Sequence, residues 1–269
     1  MILHAESSGS GPDVVILHGL MGSCENWRSV RKILAGHYRV ACLDLPNHGR
    51  SPHVAQMEAR AIGKMVLSTL DAFGMNRAVV VGHSLGGKIA MQMASEHADR
   101  LAGVAVVDIS PRAFQPMHLF ILRACQQLDL VAAVRRVDLD HALAASVPHA
   151  ETRAFLLKNV VRDPKGRWAW RVPLQTLIDN YRVVSDAPPL VAPYNGPTLF
   201  VAGECSPFRI RDDESLIRSW FPAVRWVTIP NAGHLVHADQ PEAFTAALAG
   251  FLGTCYPSAE LNQTPSAEV

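Results

Sequence analysis

Six short runs rich in β-branched residues alternate with stretches of helical periodicity along most of the chain. The runs are nearly continuously apolar, which is typical of strands covered on both faces. They lie at residues 13–17, 38–45, 77–81, 103–108, 198–202 and 224–229. Helical spacing occupies residues 27–34, 59–73, 85–96, 213–221 and 241–252. A strand followed by a helix, repeated in this way, predicts an α/β fold in which helices flank a mostly parallel central sheet.

The alternation stops between residue 111 and about residue 194. Helical patterns at residues 120–137, 150–160 and 173–181 fill this gap without a convincing strand. We therefore predict a core formed by residues 1–111 and 194–255, with residues 112–193 inserted as a helical lid, or cap. The polar residues 256–269 show little periodicity and are predicted to form a flexible C-terminal tail.

Composition and charge exclude several classes of protein. Of the 269 residues, 49% are hydrophobic and 18% are charged, which is ordinary for a globular chain. Lys and Arg number 25 against 24 Asp and Glu, so the basic excess that nucleic-acid binding requires is missing. No apolar stretch approaches the roughly 18 residues of a membrane helix, and the N-terminus lacks a secretion pattern, so we expect a cytoplasmic protein. The five scattered cysteines indicate free thiols in a reducing compartment.

The strongest local motif is Gly-His-Ser-Leu-Gly at residues 82–86, directly between a predicted strand and a predicted helix. A serine on so tight a turn needs small neighbours because the backbone doubles back. The turn lifts the hydroxyl out of the sheet at a helix N-terminus, so Ser84 is the candidate nucleophile. The alternative is a serine that only caps the helix.

A serine hydroxyl needs a base to remove its proton as it attacks. The candidate base is His234, which follows the last predicted strand on a loop of small residues. His237 lies three residues later and could form a metal-binding His-x-x-His pair with it. Because no third ligand stands at the spacing of a metallohydrolase, we predict no metal, and we expect His237 to cap or pack.

The base in turn needs a carboxylate that holds its tautomer. In this architecture the acid usually stands three residues after the glycine that follows the run at residues 198–202. That glycine is Gly203, and Ser206 occupies the position of the acid. Asp108 ends the preceding core strand, at the sheet edge where the active sites of open parallel sheets form, and is the preferred acid. The sequence does not exclude other acids as the partner of the histidine. It also allows Asp108 to act only as a cap of a helix or turn. The other candidate acids are Glu204, Asp212 and Asp213.

Two backbone amides are candidate donors to an oxyanion. Gly19 follows the first buried strand and allows the Leu20 amide to face the serine, and Leu85 supplies a second N–H at the helix start. Three further histidines fall in these turns, and we expect them to orient backbone rather than transfer protons. They are His18, His48 and His83.

Five motifs in order resemble the α/β-hydrolase superfamily, and within it the small-ester hydrolases of the YbfF and ABHD11 type. They are His-Gly-Leu-Met-Gly-Ser, Asp-Leu-Pro-Asn-His-Gly-Arg-Ser, Gly-His-Ser-Leu-Gly-Gly, Val-Val-Asp-Ile-Ser-Pro and Gly-His-Leu-Val-His-Ala-Asp-Gln-Pro. The resemblance covers nearly the whole chain except the lid and the tail. It implies an α/β-hydrolase fold, independently favours Asp108 as the acid, and implies esterase activity without a cofactor. Only one strand, near residues 2–5, precedes the first buried strand, so a seven-stranded sheet is expected.

We therefore expect a serine carboxylesterase that acts on short-to-medium acyl esters, or on thioesters. Residues 112–182 hold 11 Lys and Arg against 6 Asp and Glu, which could attract an anionic carrier such as coenzyme A or acyl carrier protein. Alternatives are a cofactor-free perhydrolase or haloperoxidase, a ligand-sensing binding protein, and non-hydrolytic chemistry on the same fold. Side chains of the lid that could line the acyl pocket are Met117, Leu119, Phe120, Ile121, Phe155, Trp168 and Trp170.

Overall fold

A seven-stranded sheet organises the protein, as a computed structural model shows for residues 1–115 and 118–257. In spatial order the strands lie at residues 5–8, 39–43, 13–17, 78–83, 101–107, 198–203 and 224–229. Only the first strand is antiparallel to its neighbour, so the predicted parallel sheet of seven strands is confirmed. The strands of this sheet are β1 (Ala5–Ser8), β2 (Asp13–Leu17), β3 (Arg39–Leu43), β4 (Ala78–His83), β5 (Leu101–Val107), β8 (Thr198–Gly203) and β9 (Val224–Ile229).

Helices cover both faces of the sheet because the strands are apolar on both sides. In β2, Val14 and Ile16 pack with α1 and α11 on one face, and Val15 and Leu17 pack with α2 and α3 on the other. This division follows the two-residue period of a strand. The helices outside the insertion are α1 (Arg28–Leu34), α2 (Ala59–Ala72), α3 (Leu85–Glu96), α9 (Glu214–Trp220), α10 (Val236–Asp239) and α11 (Pro241–Cys255).

The segment between β5 and β8 contains five helices and a small β-hairpin among its described residues. We call residues 112–193 the insertion. Its helices are α4 (Leu119–Gln126), α5 (Arg136–Leu143), α6 (Ala150–Leu157), α7 (Leu174–Asp179) and α8 (Tyr181–Ser185). The hairpin pairs β6 (Val160–Arg162) with β7 (Trp168–Trp170).

Two predictions for the insertion are wrong, and local side chains explain both. The helix expected at residues 120–137 ends at Gln126, since the Asp129 carboxylate accepts the amides of Val131 and Ala132 and forms a turn. The expected absence of strands overlooked the hairpin, whose turn is fixed by Asp163 and by Gly166 in the left-handed region, at φ 76°.

The boundary of the predicted tail also shifts. Tyr256 is buried, and its hydroxyl donates to the carbonyl of Asp13 at 2.6 Å and accepts the amide of Val79 at 3.1 Å. The core therefore includes this residue, and residues 258–269 of the expected tail lie outside the described part of the chain. Within the described residues, no helix has the length and apolar character needed to cross a membrane.

Helix α3 approaches the sheet so closely that one position tolerates only glycine. A Cβ atom added to Gly86 would lie 2.3 Å from the carbonyl oxygen of Leu17, which is backbone and cannot move aside. A Cβ added to Gly253 on α11 meets nothing within 4 Å.

We predict opposite effects of one methyl group at these two positions. Gly86→Ala should lower the free energy of unfolding by about 3 kcal/mol, because of overpacking against rigid backbone. Gly253→Ala, the matched control, should raise it by about 0.5 to 1 kcal/mol, through the higher helix propensity of alanine. Urea unfolding followed by circular dichroism measures both, and equal stability of the two variants would contradict the close approach.

Candidate active site

Ser84 sits between β4 and α3 with backbone dihedral angles of φ 51° and ψ −114°. This conformation is costly for a residue with a side chain and is held by the surrounding structure. The Ser84 amide donates to the carbonyl of Val107 on the neighbouring strand at 3.1 Å. The predicted tight turn is therefore present.

His234 and Asp108 are in direct contact. His234 lies on the loop between β9 and α10, and its Nδ1 stands 2.7 Å from Oδ2 of Asp108. Asp108 follows β5, is fully buried and also has a positive φ of 52°. Its Oδ1 accepts the Gly203 amide at 3.0 Å, so the carboxylate is held from several sides. Since a carboxylate only accepts, Nδ1 of His234 carries the proton of this bond.

The other candidate acids are engaged elsewhere. Glu204 accepts the Asn231 amide at 2.9 Å on the protein surface. Asp212 pairs with Arg209 at 2.9 Å, and Asp213 pairs with Arg112 at 2.6 Å. Of the four carboxylates that the sequence leaves open, the structure brings only Asp108 to His234.

Ser206 is a residue whose contribution sequence reasoning missed. Its hydroxyl donates to Oδ2 of Asp108, the same oxygen that faces His234. The sequence analysis treats Ser206 only as the residue that replaces the usual acid. A hydroxyl at that position reaches the relocated carboxylate as a donor, and its position in the chain was the available signal.

The proposed oxyanion donors flank the same cleft as the serine. Leu20 and Leu85 both line the cleft that contains Ser84, and Leu85 is the first residue of α3. A Cβ atom on Gly19 would lie 2.7 Å from Nδ1 of His83 and 3.1 Å from Cβ of Ser84, so the Leu20 loop lies against the serine turn. The arrangement allows both amides to face a charge that develops beside Ser84.

Two clefts meet at Ser84. The apolar cleft, of about 170 Å³, is lined by Ser84, by His234 and by side chains of α4 and α6 among others. The helix cleft, of about 50 Å³, runs beside α3 and is lined by Leu85, Lys88 and Phe114 among others. His118 lines both. A group bound at Ser84 can therefore extend in two directions.

The family model described as alpha/beta hydrolase fold matches residues 12–241. The chain belongs to this family. The match includes the Ser84 turn, the strand that precedes Asp108, Asp108 itself and His234.

Relatives of this alpha/beta hydrolase include named esterases and lipases. It is 37% identical over 249 residues to mouse sn-1-specific diacylglycerol lipase ABHD11. The aligned region covers 90% of this chain and 81% of the mouse protein. It is 30% identical over 252 residues to esterase YbfF of Escherichia coli K12. The aligned region covers 92% of this chain and 96% of the esterase. A solved structure of a marine microorganism esterase superposes with a TM-score of 0.90 at 31% identity, covering 93% of this chain and 99% of that one.

The structure places only some of the side chains predicted to line the acyl pocket at a cleft beside Ser84. Ile121 and Phe155 line the apolar cleft of this alpha/beta hydrolase. Phe120 is 58% exposed, and Trp168 lies on β7 under the Arg162 guanidinium, 3.6 Å from the ring centroid. Neither Trp168 nor Trp170 is among the described residues that line either cleft, and the same holds for Leu119. Met117 lies outside the described residues.

Helical spacing on α4 explains both outcomes. His118, Ile121 and Leu122 all line the apolar cleft, and residues three and four apart share one face of a helix. Phe120 falls on another face. The spacing was visible in the sequence, but it could not show which face of α4 meets the cleft. Sequence reasoning missed His118 and Leu122 for this reason. It missed Thr152 and Leu156 because the face of α6 that meets the cleft was equally undetermined.

The histidines expected to orient backbone do so. Nε2 of His18 accepts the Leu45 amide at 2.9 Å, and Nε2 of His48 accepts the Met21 amide at 3.0 Å. Nε2 of His83 lies 2.9 Å from the carbonyl oxygen of His234 and donates to it. His237 stacks on Trp27 with ring centroids 3.9 Å apart, so it packs as expected. Within residues 1–115 and 118–257, no three His, Cys, Asp or Glu side chains form a metal-ligand cluster.

Burial keeps these four histidines neutral. It lowers the pKa of His48 and of His237 to about 3, and it lowers the pKa of His18 and of His83 as well. A histidine that is neutral when folded still titrates near pH 6.5 when unfolded. Below that pH the unfolded chain binds more protons, so the folded state loses stability as the pH falls.

We predict that the protein becomes unstable in mild acid. His48 and His237 each lower the free energy of unfolding by about 1.4 kcal/mol per pH unit between pH 6.5 and pH 5. Thermal unfolding from pH 7.5 to pH 5 should show a steep fall in Tm. His237→Phe keeps an aromatic stack on Trp27 and should flatten that fall, whereas the same change at the exposed His37 should leave it as in the wild type. Equal pH dependence of both variants and the wild type would contradict the assignment.

Proposed function

We propose that this ester hydrolase cleaves short-to-medium acyl esters through a covalent acyl intermediate on Ser84. The observation that carries the proposal is the 2.7 Å contact between Nδ1 of His234 and the buried Asp108 carboxylate, beside a serine held on a strained turn. Such an arrangement is the usual means of making an alcohol nucleophilic at neutral pH.

The proton arrangement of His234 sets its role. Because Nδ1–H donates to Asp108, Nε2 carries the lone pair and accepts the Ser84 proton as Oγ attacks the ester carbonyl. Asp108 then stabilises the imidazolium. The Leu20 and Leu85 amides bind the oxyanion of the tetrahedral intermediate, and the intermediate collapses as His234 returns the proton to the leaving alcohol. Water activated by the same histidine releases the acid.

The size of the apolar cleft supports the substrate range. Its volume of about 170 Å³ is below the 300 to 1,000 Å³ typical of sites for drug-sized ligands. Helices α4 and α6 form its walls, so we assign the insertion the role of a lid over Ser84. The mouse relative is named for diacylglycerol, and a short-chain diacylglycerol therefore belongs among the substrates to test.

A cytoplasmic location fits the thiols. All five cysteines are free, and burial raises the pKa of Cys42 and of Cys125 to about 12, which keeps both thiols protonated and unreactive. We assign the protein to a reducing compartment on this basis.

We predict that p-nitrophenyl acetate and butyrate are hydrolysed with a burst of one nitrophenolate per chain if deacylation is slow. Ser84→Ala should abolish turnover. Asp108→Asn should lower kcat by about 10³ to 10⁴, because the asparagine amide favours the wrong histidine tautomer. Steady-state and stopped-flow assays measure both effects.

A matched carboxylate serves as the control. Glu204→Gln removes a surface carboxylate near the same sheet edge and should leave kcat within about twofold of the wild type. Full activity of Asp108→Asn would refute its role as the acid. Faster transfer of the acyl group to hydrogen peroxide than to water would identify a perhydrolase, and an inactive wild type that binds esters would identify a ligand-sensing protein.

We further propose that the basic insertion attracts anionic thioesters of coenzyme A or acyl carrier protein. The net charge of +5 over residues 112–182 supports this, since the rest of the chain is net acidic.

Turnover of an acyl-CoA thioester should then fall about fivefold between 50 and 500 mM NaCl, through screening, while that of neutral p-nitrophenyl butyrate stays constant. Arg123→Glu on α4 should weaken the thioester reaction, and Arg28→Glu on α1, outside the insertion, is the matched control. Equal salt dependence of both substrates would refute the attraction.

A further inference from the structure

Lys88 is a buried cation that the reaction at Ser84 does not use. It lies on α3 four residues after Ser84, one helical turn away, and is 5% exposed. Its ammonium group donates to three carbonyl oxygens at the end of α8, those of Val184 at 3.2 Å, Ser185 at 2.7 Å and Asp186 at 2.5 Å. All three donors are therefore occupied by backbone, and none remains for a substrate.

This residue closes the junction where both ends of the insertion meet α3. The Phe114 amide, on the incoming end, donates to the carbonyl of Ser185 on the outgoing end at 2.9 Å. The Phe114 ring centroid lies 5.3 Å from Nζ of Lys88. Burial lowers the pKa of Lys88 to about 8, because desolvation penalises the charged amine.

The Lys88 side chain also separates two cavities. On one side is the helix cleft, which contains Ser84. On the other side is a cleft of about 270 Å³, here called the outer cleft, which is lined by Glu58, Arg60 and Pro188 among others. Leu85, Lys88 and Val184 line both clefts, and we infer from this that they form the wall between them.

We propose that Lys88 determines substrate specificity by acting as the end wall of the helix cleft, which limits the length of the ester group that extends from Ser84 along α3. The inference rests on the proposed function of Ser84. Lys88 contributes volume and rigidity at this wall and takes no part in proton transfer. Shortening its side chain would connect the helix cleft with the outer cleft and give a longer chain room to bind.

The test compares two substitutions that remove the same three hydrogen bonds and differ in volume. Lys88→Ala opens the wall, whereas Lys88→Met fills it with an uncharged chain of similar length. The readout is kcat/KM for p-nitrophenyl esters from acetate to dodecanoate and for alkyl acetates from methyl to octyl. Each methylene newly buried in the outer cleft adds about fourfold to kcat/KM.

Lys88→Ala should therefore raise the ratio of kcat/KM for long over short chains at least tenfold in one of the two series, mainly through KM, and Lys88→Met should keep the wild-type ratio. Lys64→Ala, at an exposed lysine on α2, controls for loss of a positive charge. Equal profiles for the Ala and Met variants would overturn the proposal, because a structural role alone affects both alike.

Val184→Ala provides a second route if the lysine variants do not fold. It thins the same wall and leaves the Lys88 hydrogen bonds to backbone intact. A shift towards longer chains supports the wall, and an unchanged profile refutes it. Ser84→Ala separates the two proposals, because activity that survives in Ser84→Ala disproves the serine mechanism whatever the Lys88 variants do.

Discussion

The Asp108 carboxylate is the centre of this site, because a fully buried charge persists only where donors surround it. The Gly203 amide, the Ser206 hydroxyl and the His234 ring supply them. These donors come from the last residue of β8 and from the loops that follow β8 and β9, so the carboxylate joins the ends of three strands. Removing its charge would change the histidine tautomer, and removing the donors would leave the charge unpaired.

The sheet and its flanking helices could be predicted from sequence because their patterns are local. The runs at residues 13–17 and 224–229 coincide with β2 and β9, and the stretch at 85–96 coincides with α3. The contact between Asp108 and His234 joins residues 126 positions apart, yet strand-end logic located both. The positions of those site residues that stand at the ends of strands could therefore be predicted from the fold.

The insertion resisted prediction because its structure depends on polar side chains and on packing between short helices. One carboxylate, that of Asp129, ended a helix that apolar periodicity would have continued. Periodicity along α4 shows which residues share a face of the helix, but it does not show which face meets the cleft. The sequence therefore predicts Phe120 as a lining residue and misses His118. Ser206 and Lys88 were overlooked for a related reason, since each acts through partners about a hundred residues distant in the chain.

Ser84 and Asp108 stand at the ends of adjacent strands, β4 and β5, joined by the bond from the Ser84 amide to Val107. Both precede the insertion in the chain. If that segment were exchanged for a longer, shorter or differently charged one, the hydrogen-bond ladder of the sheet would still set the spacing between the proposed nucleophile and the proposed acid. The architecture thus separates the proposed reactive groups from the segment to which we assign the choice of substrate. New selectivity can then arise in that segment while the reactive groups stay in place.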